Sequence, residues 1–205
     1  GMARLYTYIQ QVRAENPNTI LIDAGDDIQG TIMTDDIYNK TPDEAHPVIA
    51  AMNYMGYDAM TLGNNEFNWG IPPMPKIVGQ AEFPVLAANV KGTDGKLVTG
   101  AGWTIVEKDG VKVAVIGVVT PDVPIWDGGK EGIDGCTYEA ASAAVKAAIA
   151  KWLETYDDLD ASTPATQELL HLLESIGLLH QLLFRKEGGR QDVSALGAGE
   201  GCRST

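Results

Sequence analysis

Two short polar segments follow β-rich runs and carry side chains that could bind a metal ion. The run 19–22 (TILI) leads into the segment 23–27 (DAGDD), and the run 58–62 (DAMTL) leads into the segment 63–66 (GNNE). Carboxylate and amide oxygens are hard ligands that suit Mg, Mn, Fe or Zn. A glycine in each segment lets the backbone turn sharply before the donor. The pattern therefore indicates divalent-metal chemistry, with ordinary turn residues as the simpler alternative.

Alternating helices and strands are predicted to carry these segments. The spacing of apolar residues predicts helices over 3–15 and 47–57, each preceding one of the two strands, and the run 84–89 predicts a third strand. Strands that alternate with helices indicate an α/β sheet whose strand ends share one edge. We expect both polar segments at that edge, and Asn89 is a weaker candidate for the same place.

A different pattern begins near residue 103. The β-rich runs 103–108 and 111–120 flank Asp109 and Gly110, a residue pair typical of a type I′ hairpin turn. Residues 121–138 are rich in Pro, Gly and Asp, and this stretch is long enough to contribute to the edge that carries the polar segments. An Ala-rich helix is predicted over 139–156.

The composition changes again after residue 156. Pro164 follows residues suited to begin a helix, and residues 164–184 carry a broad Leu-rich stripe. Such a stripe needs an apolar partner, either the core of the same domain or a second copy of the chain. We expect a domain over 1–156, a Leu-rich helical segment over 157–186 with homo-oligomerisation through 164–184, and a disordered tail over 187–205.

Charge and composition narrow the classes of function. The net charge is −13 and no basic stripe is present, which argues against nucleic-acid binding. No apolar run is long enough for a membrane span and no signal peptide is recognisable, so we expect a soluble chain without membrane partners, whose compartment stays open. Cys136 and Cys202 lie far apart without metal-site spacing, and two free thiols are expected.

The two polar segments resemble motifs of a known family. The stretches 21–31 (LIDAGDDIQGT) and 56–70 (GYDAMTLGNNEFNWG) are similar to the GD and GNHE motif regions of the calcineurin-like metallophosphoesterases, in the branch of bacterial 5′-nucleotidases and 2′,3′-cyclic-nucleotide 2′-phosphodiesterases. The similarity continues over 83–90 and 113–126, in the same order. It implies an α/β fold, specifically a partial α/β/β/α sandwich, to which the Leu-rich helix is an added C-terminal element.

The resemblance also implies roles for three residues. Asp26 would bridge two divalent ions (Mn, Mg, Zn or Fe), and Asn64 would bind the second ion. The substrate would be a nucleotide or cyclic nucleotide, whose phosphorus is attacked by metal-activated water. Asn65 occupies the position of the family's catalytic histidine. An amide transfers no proton at neutral pH, so we expect activity reduced by roughly 100- to 10,000-fold. No further cofactor-binding residue is implied.

Other elements of the family pattern have no counterpart. The family's D-x-H pair of metal ligands precedes the helix at which this sequence opens, and its later histidine motifs would follow the helix over 139–156. The only histidines are His46, expected to be structural, and His171 and His180, which would lie on opposite sides of one helix. Two hypotheses follow. In the first, the chain is a weakened metal-dependent phosphoesterase, and the resemblance implies relatives that are often extracytoplasmic. In the second, it is a non-catalytic truncated homologue that serves as an interaction or structural module.

Overall fold

The computed structural model describes residues 1–38 and 44–153. Residues 1–148 form one compact unit, and residues 149–205 are assigned to a second. The predicted Leu-rich helix, the predicted tail, His171, His180 and Cys202 lie outside the described residues. The domain boundaries and the interface expected at 164–184 therefore stay predictions.

The helices of the described part agree in order with the sequence pattern. They are α1 (Met2–Glu15), α2 (Pro47–Met55), α3 (Met74–Val78), α4 (Val123–Asp127) and α5 (Ala141–Leu153), with a π-helix at Ile32–Tyr38 and a 3₁₀ turn at Asn65–Phe67. The π-helix and α4 were not predicted, because both lie in polar or Pro- and Gly-rich stretches without helical periodicity. No described helix is both long and apolar enough to cross a membrane.

Helix α2 shows how local sequence sets an element's bounds. His46 caps its first turn, Pro47 occupies the first helical position, and Gly56 ends it in the left-handed conformation at φ 68°. The Arg13 guanidinium of α1 donates to the carbonyl oxygens of Met55 and Gly56, both at 2.6 Å. These bonds satisfy carbonyls at the end of α2 and tie the two helices together.

Three short parallel strands form the sheet that carries the site. Strands β1 (Ile22–Asp23), β2 (Ala59–Thr61) and β3 (Val85–Leu86) lie in the order β1-β2-β3. Their register pairs Ile22 with Ala59 and Met60 with Val85. Because β1 and β2 are adjacent and parallel, the segments that follow them leave the sheet at the same edge, as predicted.

The remaining strands form two antiparallel pairs. Strand β5 (Trp103–Lys108) pairs with β6 (Val111–Ile116) across Asp109 and Gly110, whose φ angles of 50° and 77° are those of the predicted type I′ turn. Strand β4 (Val90–Lys91) pairs with β7 (Thr137–Tyr138).

The predicted strand over 84–89 is wrong in its extent. Only Val85 and Leu86 join the parallel sheet, and the chain then bends at Asn89 into β4. The fully buried Asn89 side chain donates to the carbonyl oxygens of Val119 and Glu139 and accepts from the Val119 N–H. Asn89 therefore joins three segments of backbone, which favours its structural interpretation over the weaker expectation of a site role.

The core lies between the parallel sheet and the helices beside it. Its largest fully buried side chains include Met52, Met60, Phe67, Ile77 and Leu86. Of the β-rich run 19–22 only Ile22 lies in β1, and it is 54% exposed because β1 stands at the edge of the described sheet.

Candidate metal site

The two polar segments meet where β1 and β2 end. The Asn65 backbone N–H donates to Asp26 Oδ1 at 2.8 Å. The backbones also touch, since a Cβ built on Gly25 would lie 2.7 Å from Gly63 Cα, and a Cβ built on Gly63 would lie 2.7 Å from Asp26 Cγ. Only glycine at both positions permits this approach. The structure thus brings together Asp26 and the segment that contains Asn64 and Asn65.

The backbone of the first segment turns back toward the second. Gly25 and Asp26 both adopt left-handed conformations, with φ angles of 88° and 68°. A carboxylate-bearing residue at such an angle is strained, and strain of this kind concentrates at functional sites. Asp23 Oδ1 supports the turn by accepting from the Gly25 N–H at 2.8 Å. The result is that the Asp26 carboxylate points at the second segment.

Glu66 links the backbones of the two segments, a role that the sequence pattern did not predict. Its side chain is only 2% exposed. The carboxylate accepts from the backbone N–H groups of Asp26 and Gly63 through Oε2 and of Asp27 and Ile28 through Oε1. One sequence signal was available, because a glutamate three residues after a turn glycine has the spacing at which a capping-box glutamate reaches back to a backbone N–H.

One amide oxygen of the second segment, Asn64 Oδ1, accepts no hydrogen bond from the described residues. Asn64 Nδ2 donates to Asn65 Oδ1 at 3.2 Å, and the Asn68 amide group lies 3.1 Å from the same oxygen. No residue in the described part of the chain donates to Asn64 Oδ1 or to Asp26 Oδ2. The segment pair therefore has a free carboxylate oxygen and a free amide oxygen on adjacent loops.

Comparison with known proteins identifies relatives of this chain. The chain is 40% identical over 152 residues, 66% of its length, to the trifunctional nucleotide phosphoesterase protein YfkN of Bacillus subtilis. It is 35% identical over 140 residues, 62% of its length, to the 2′,3′-cyclic-nucleotide 2′-phosphodiesterase/3′-nucleotidase of Haemophilus influenzae. The crystal structure of the calcineurin-like phosphoesterase YfkN from Bacillus subtilis superposes on 78% of the chain with a TM-score of 0.66 at 34% identity.

The chain belongs to the calcineurin-like phosphoesterases. The family and the α/β fold expected from the sequence are thereby confirmed. No protein-family model matches the chain. The chain spans 10% and 21% of the length of the two curated relatives and 52% of the solved chain.

Several carboxylates lie close together where the two polar segments, 23–27 and 63–66, meet. The pKa of the Asp27 carboxyl is raised to about 7 by desolvation, by its hydrogen bond with Asp23, and by the charges of Asp23, Glu66 and Asp26. Carboxylates that crowd in this way disfavour one another's ionised forms, and a bound cation would relieve the repulsion. A cation bound beside these carboxylates would therefore lower the pKa of Asp27.

The family uses divalent metals, and the residues present fit such an ion in chemistry but supply few ligands. Asp26 and Asn64 offer hard oxygens of the kind that Mn²⁺ and Mg²⁺ prefer. Within residues 1–38 and 44–153, no three His, Cys, Asp or Glu side chains are grouped so as to hold a metal ion. The expectation that Asp26 and Asn64 hold a metal ion therefore stays a prediction.

His46, the one histidine within the described residues, has a structural role. It is fully buried at the start of α2. Nε2 lies 2.8 Å from the Ile28 carbonyl oxygen, and Nδ1 lies 3.4 Å from the Ile49 N–H. These partners require a neutral ring that donates from Nε2 and accepts at Nδ1. Desolvation lowers the pKa of His46, although the hydrogen bond to Ile28 opposes the shift.

Proposed function

We propose that this chain is a divalent-metal-dependent phosphoric ester hydrolase that acts on nucleotides or cyclic nucleotides, with Asp26 and Asn64 as metal ligands. The observation that carries the proposal is the contact of the two loops, in which Asp26 Oδ1 accepts the Asn65 N–H at 2.8 Å. The contact holds the Asp26 carboxylate against the backbone of the loop that also carries Asn64. The names of the relatives, a nucleotide phosphoesterase and a cyclic-nucleotide phosphodiesterase, support the substrate class.

The residues of the two loops, 23–27 and 63–66, would have different roles in the reaction. A bound ion would supply a nucleophilic water and neutralise charge on the phosphate oxygens. The Asp26 carboxylate and the Asn64 amide oxygen would hold that ion, and the strained backbone at Asp26 keeps its carboxylate turned toward the second loop. Asn65, the residue after Asn64, can donate a hydrogen bond to a phosphate oxygen, but it cannot deliver a proton to the leaving group. The expected enzyme is consequently slow.

A second candidate is a non-catalytic homologue that works as an interaction module. It is favoured by Asn65, whose amide transfers no proton at neutral pH, and by the absence of a third grouped metal ligand in the described part of the chain. In this case homo-oligomerisation through residues 164–184 would be the principal molecular property. The two candidates differ in whether the purified chain binds Mn²⁺ tightly through Asp26 and hydrolyses phosphoesters with it.

Hydrolysis assays with added Mn²⁺ test the proposal. The substrates are a generic phosphodiester and a 2′,3′-cyclic nucleotide, assayed with wild type and Asp26→Ala. Removal of the ligand carboxylate should reduce turnover by about 100-fold or more, because a metal ion contributes several kcal/mol of transition-state stabilisation. Glu82→Ala is the matched control, since it removes an exposed carboxylate before β3. Wild-type protein that neither hydrolyses these substrates nor binds Mn²⁺ would refute the proposal and leave the second candidate.

A further inference from the structure

The Glu66 carboxylate occupies a pocket made of backbone N–H groups. The left-handed turn at Gly25 and Asp26 directs three successive N–H groups, those of Asp26, Asp27 and Ile28, into one concavity. Successive N–H groups of this kind form an anion-binding site. Here the anion is a side chain of the same protein.

A single oxygen of Glu66 connects the two loops. Oε2 accepts from the Asp26 N–H at 2.7 Å and from the Gly63 N–H at 2.6 Å. Oε1 accepts from the Asp27 and Ile28 N–H groups at 2.8 and 3.2 Å, so the whole carboxylate is saturated by donors. A carboxylate this deeply buried is stable only with such partners, and hydrogen bonds to a charged acceptor are the stronger kind.

We infer that Glu66 is the positioning residue of the site, holding the Asp26 loop and the Asn64 loop at a fixed separation. Its consequence for metal binding rests on the proposed function, whereas its consequence for the loops does not. Glu66 lies two residues after Asn64, and its carboxylate binds the backbone N–H of Asp26 itself. A displacement of Glu66 therefore changes the position of both proposed ligands together.

The chemistry of the pocket distinguishes Glu66 from a residue that merely fills space. Glu66→Gln preserves size but turns an NH₂ group toward two backbone N–H donors, whichever way the amide is oriented. Glu66→Asp preserves charge but is one methylene shorter, so it cannot serve both loops at once. Both variants should therefore loosen the same four N–H groups, at Asp26, Asp27, Ile28 and Gly63.

Residue-resolved amide hydrogen exchange by NMR, combined with Mn²⁺ titration, tests the inference. In both variants exchange should accelerate at those four amides while Met60 and Leu62, which donate to the β3 segment, stay protected. Where wild type binds Mn²⁺, its affinity should fall by about 10- to 100-fold, as is typical when the support of metal ligands is removed. Glu107→Gln is the control, because Glu107 is exposed on β5.

The outcomes separate the inference from the proposed function. If wild type binds no Mn²⁺, the proposed function fails, and selective loss of protection at the four amides still supports the role of Glu66. Unchanged exchange at those amides in folded variants would overturn the inference. So would a uniform loss of protection, or failure of both variants to fold, because Glu66 would then stabilise the whole domain rather than the two loops.

Discussion

Asp26, Asn64 and Asn65 differ in what their side chains can do for a phosphoester. A carboxylate and an amide oxygen can both bind a cation, and neither needs to change protonation state. The third position is different, because the family's histidine would carry a proton and a positive charge there. The amide of Asn65 keeps only the ability to donate a hydrogen bond. Asparagine at this position would therefore leave metal binding by Asp26 and Asn64 intact while it removes proton transfer.

Restoring a titratable group at position 65 should restore activity. Asn65→His is expected to raise kcat for the 2′,3′-cyclic nucleotide by roughly 100- to 10,000-fold, the usual contribution of general acid–base catalysis. Steady-state kinetics with Mn²⁺ across pH would show the gain together with a new pH dependence near the pKa of a histidine. Asn18→His, at an exposed position before β1, is the matched control. Equal kcat values in all three proteins would contradict this account of Asn65.

At the scale of elements, the site depends on contacts that support its loops from outside. The first loop ends at Ile28, whose carbonyl oxygen accepts from His46 at the start of α2. His46 in turn packs its ring edge-on against Tyr38 at 4.6 Å between ring centroids, and Gln80 accepts the His46 backbone N–H. Helix α2 and the π-helix thus meet the loop through one buried imidazole.

The buried imidazole should make stability depend on pH. The pKa of His46 is lowered in the folded protein, whereas an unfolded histidine titrates near 6.5, so the unfolded chain binds more protons. The stabilising contribution of neutral His46 is present above that pH and is lost as pH falls through the folded pKa. His46→Asn keeps an N-cap acceptor without this titration.

The free energy of unfolding, measured by urea denaturation of wild type and His46→Asn from pH 8 to pH 5, checks this expectation. Wild type should be the more stable at pH 8, and its advantage should shrink as the pH falls. The other histidines are common to both proteins, so the difference isolates His46. Parallel stability curves would contradict the assigned neutral state.

At the scale of the molecule, apolar surface remains at the ends and edges of the described sheets. Ile22 on the edge strand β1 and Val111 on β6 are 54% and 64% exposed. The sequence adds a Leu-rich stripe at residues 164–184, for which an apolar partner is required. An acidic chain of net charge −13 resists unspecific association, so any self-association should be specific.

We expect the purified chain to form a homodimer through residues 164–184. Multi-angle light scattering at tens of micromolar should give twice the mass of one chain. Leu172→Asp combined with Leu179→Asp places two charges in the Leu-rich stripe and should yield a monomer, whereas Lys186→Asp, just beyond the stripe, should not. A monomeric mass for wild type would contradict the expected interface.

Features that depend on neighbouring residues were determined by the sequence alone. Asp109 and Gly110 specify a type I′ turn through their tolerance of positive φ, and Pro47 and Gly56 delimit α2. The order of helices and parallel strands was predictable for the same reason, and it implied that the polar segments would share an edge. The sequence likewise identified the chemical types of the donors and the family to which they belong.

Tertiary structure decided the features whose partners lie far apart in the chain. Glu66 is one polar residue among several in its segment until its carboxylate meets N–H groups up to 40 residues away. Asn89 bends its strand because its amide bonds Val119, 30 residues further on, and Ile22 is exposed because β1 has a described neighbour on one side only. Burial and hydrogen-bond saturation are properties of the packed chain, and they determined that the Glu66 carboxylate is saturated by backbone N–H donors while an oxygen of Asp26 has no donor among the described residues.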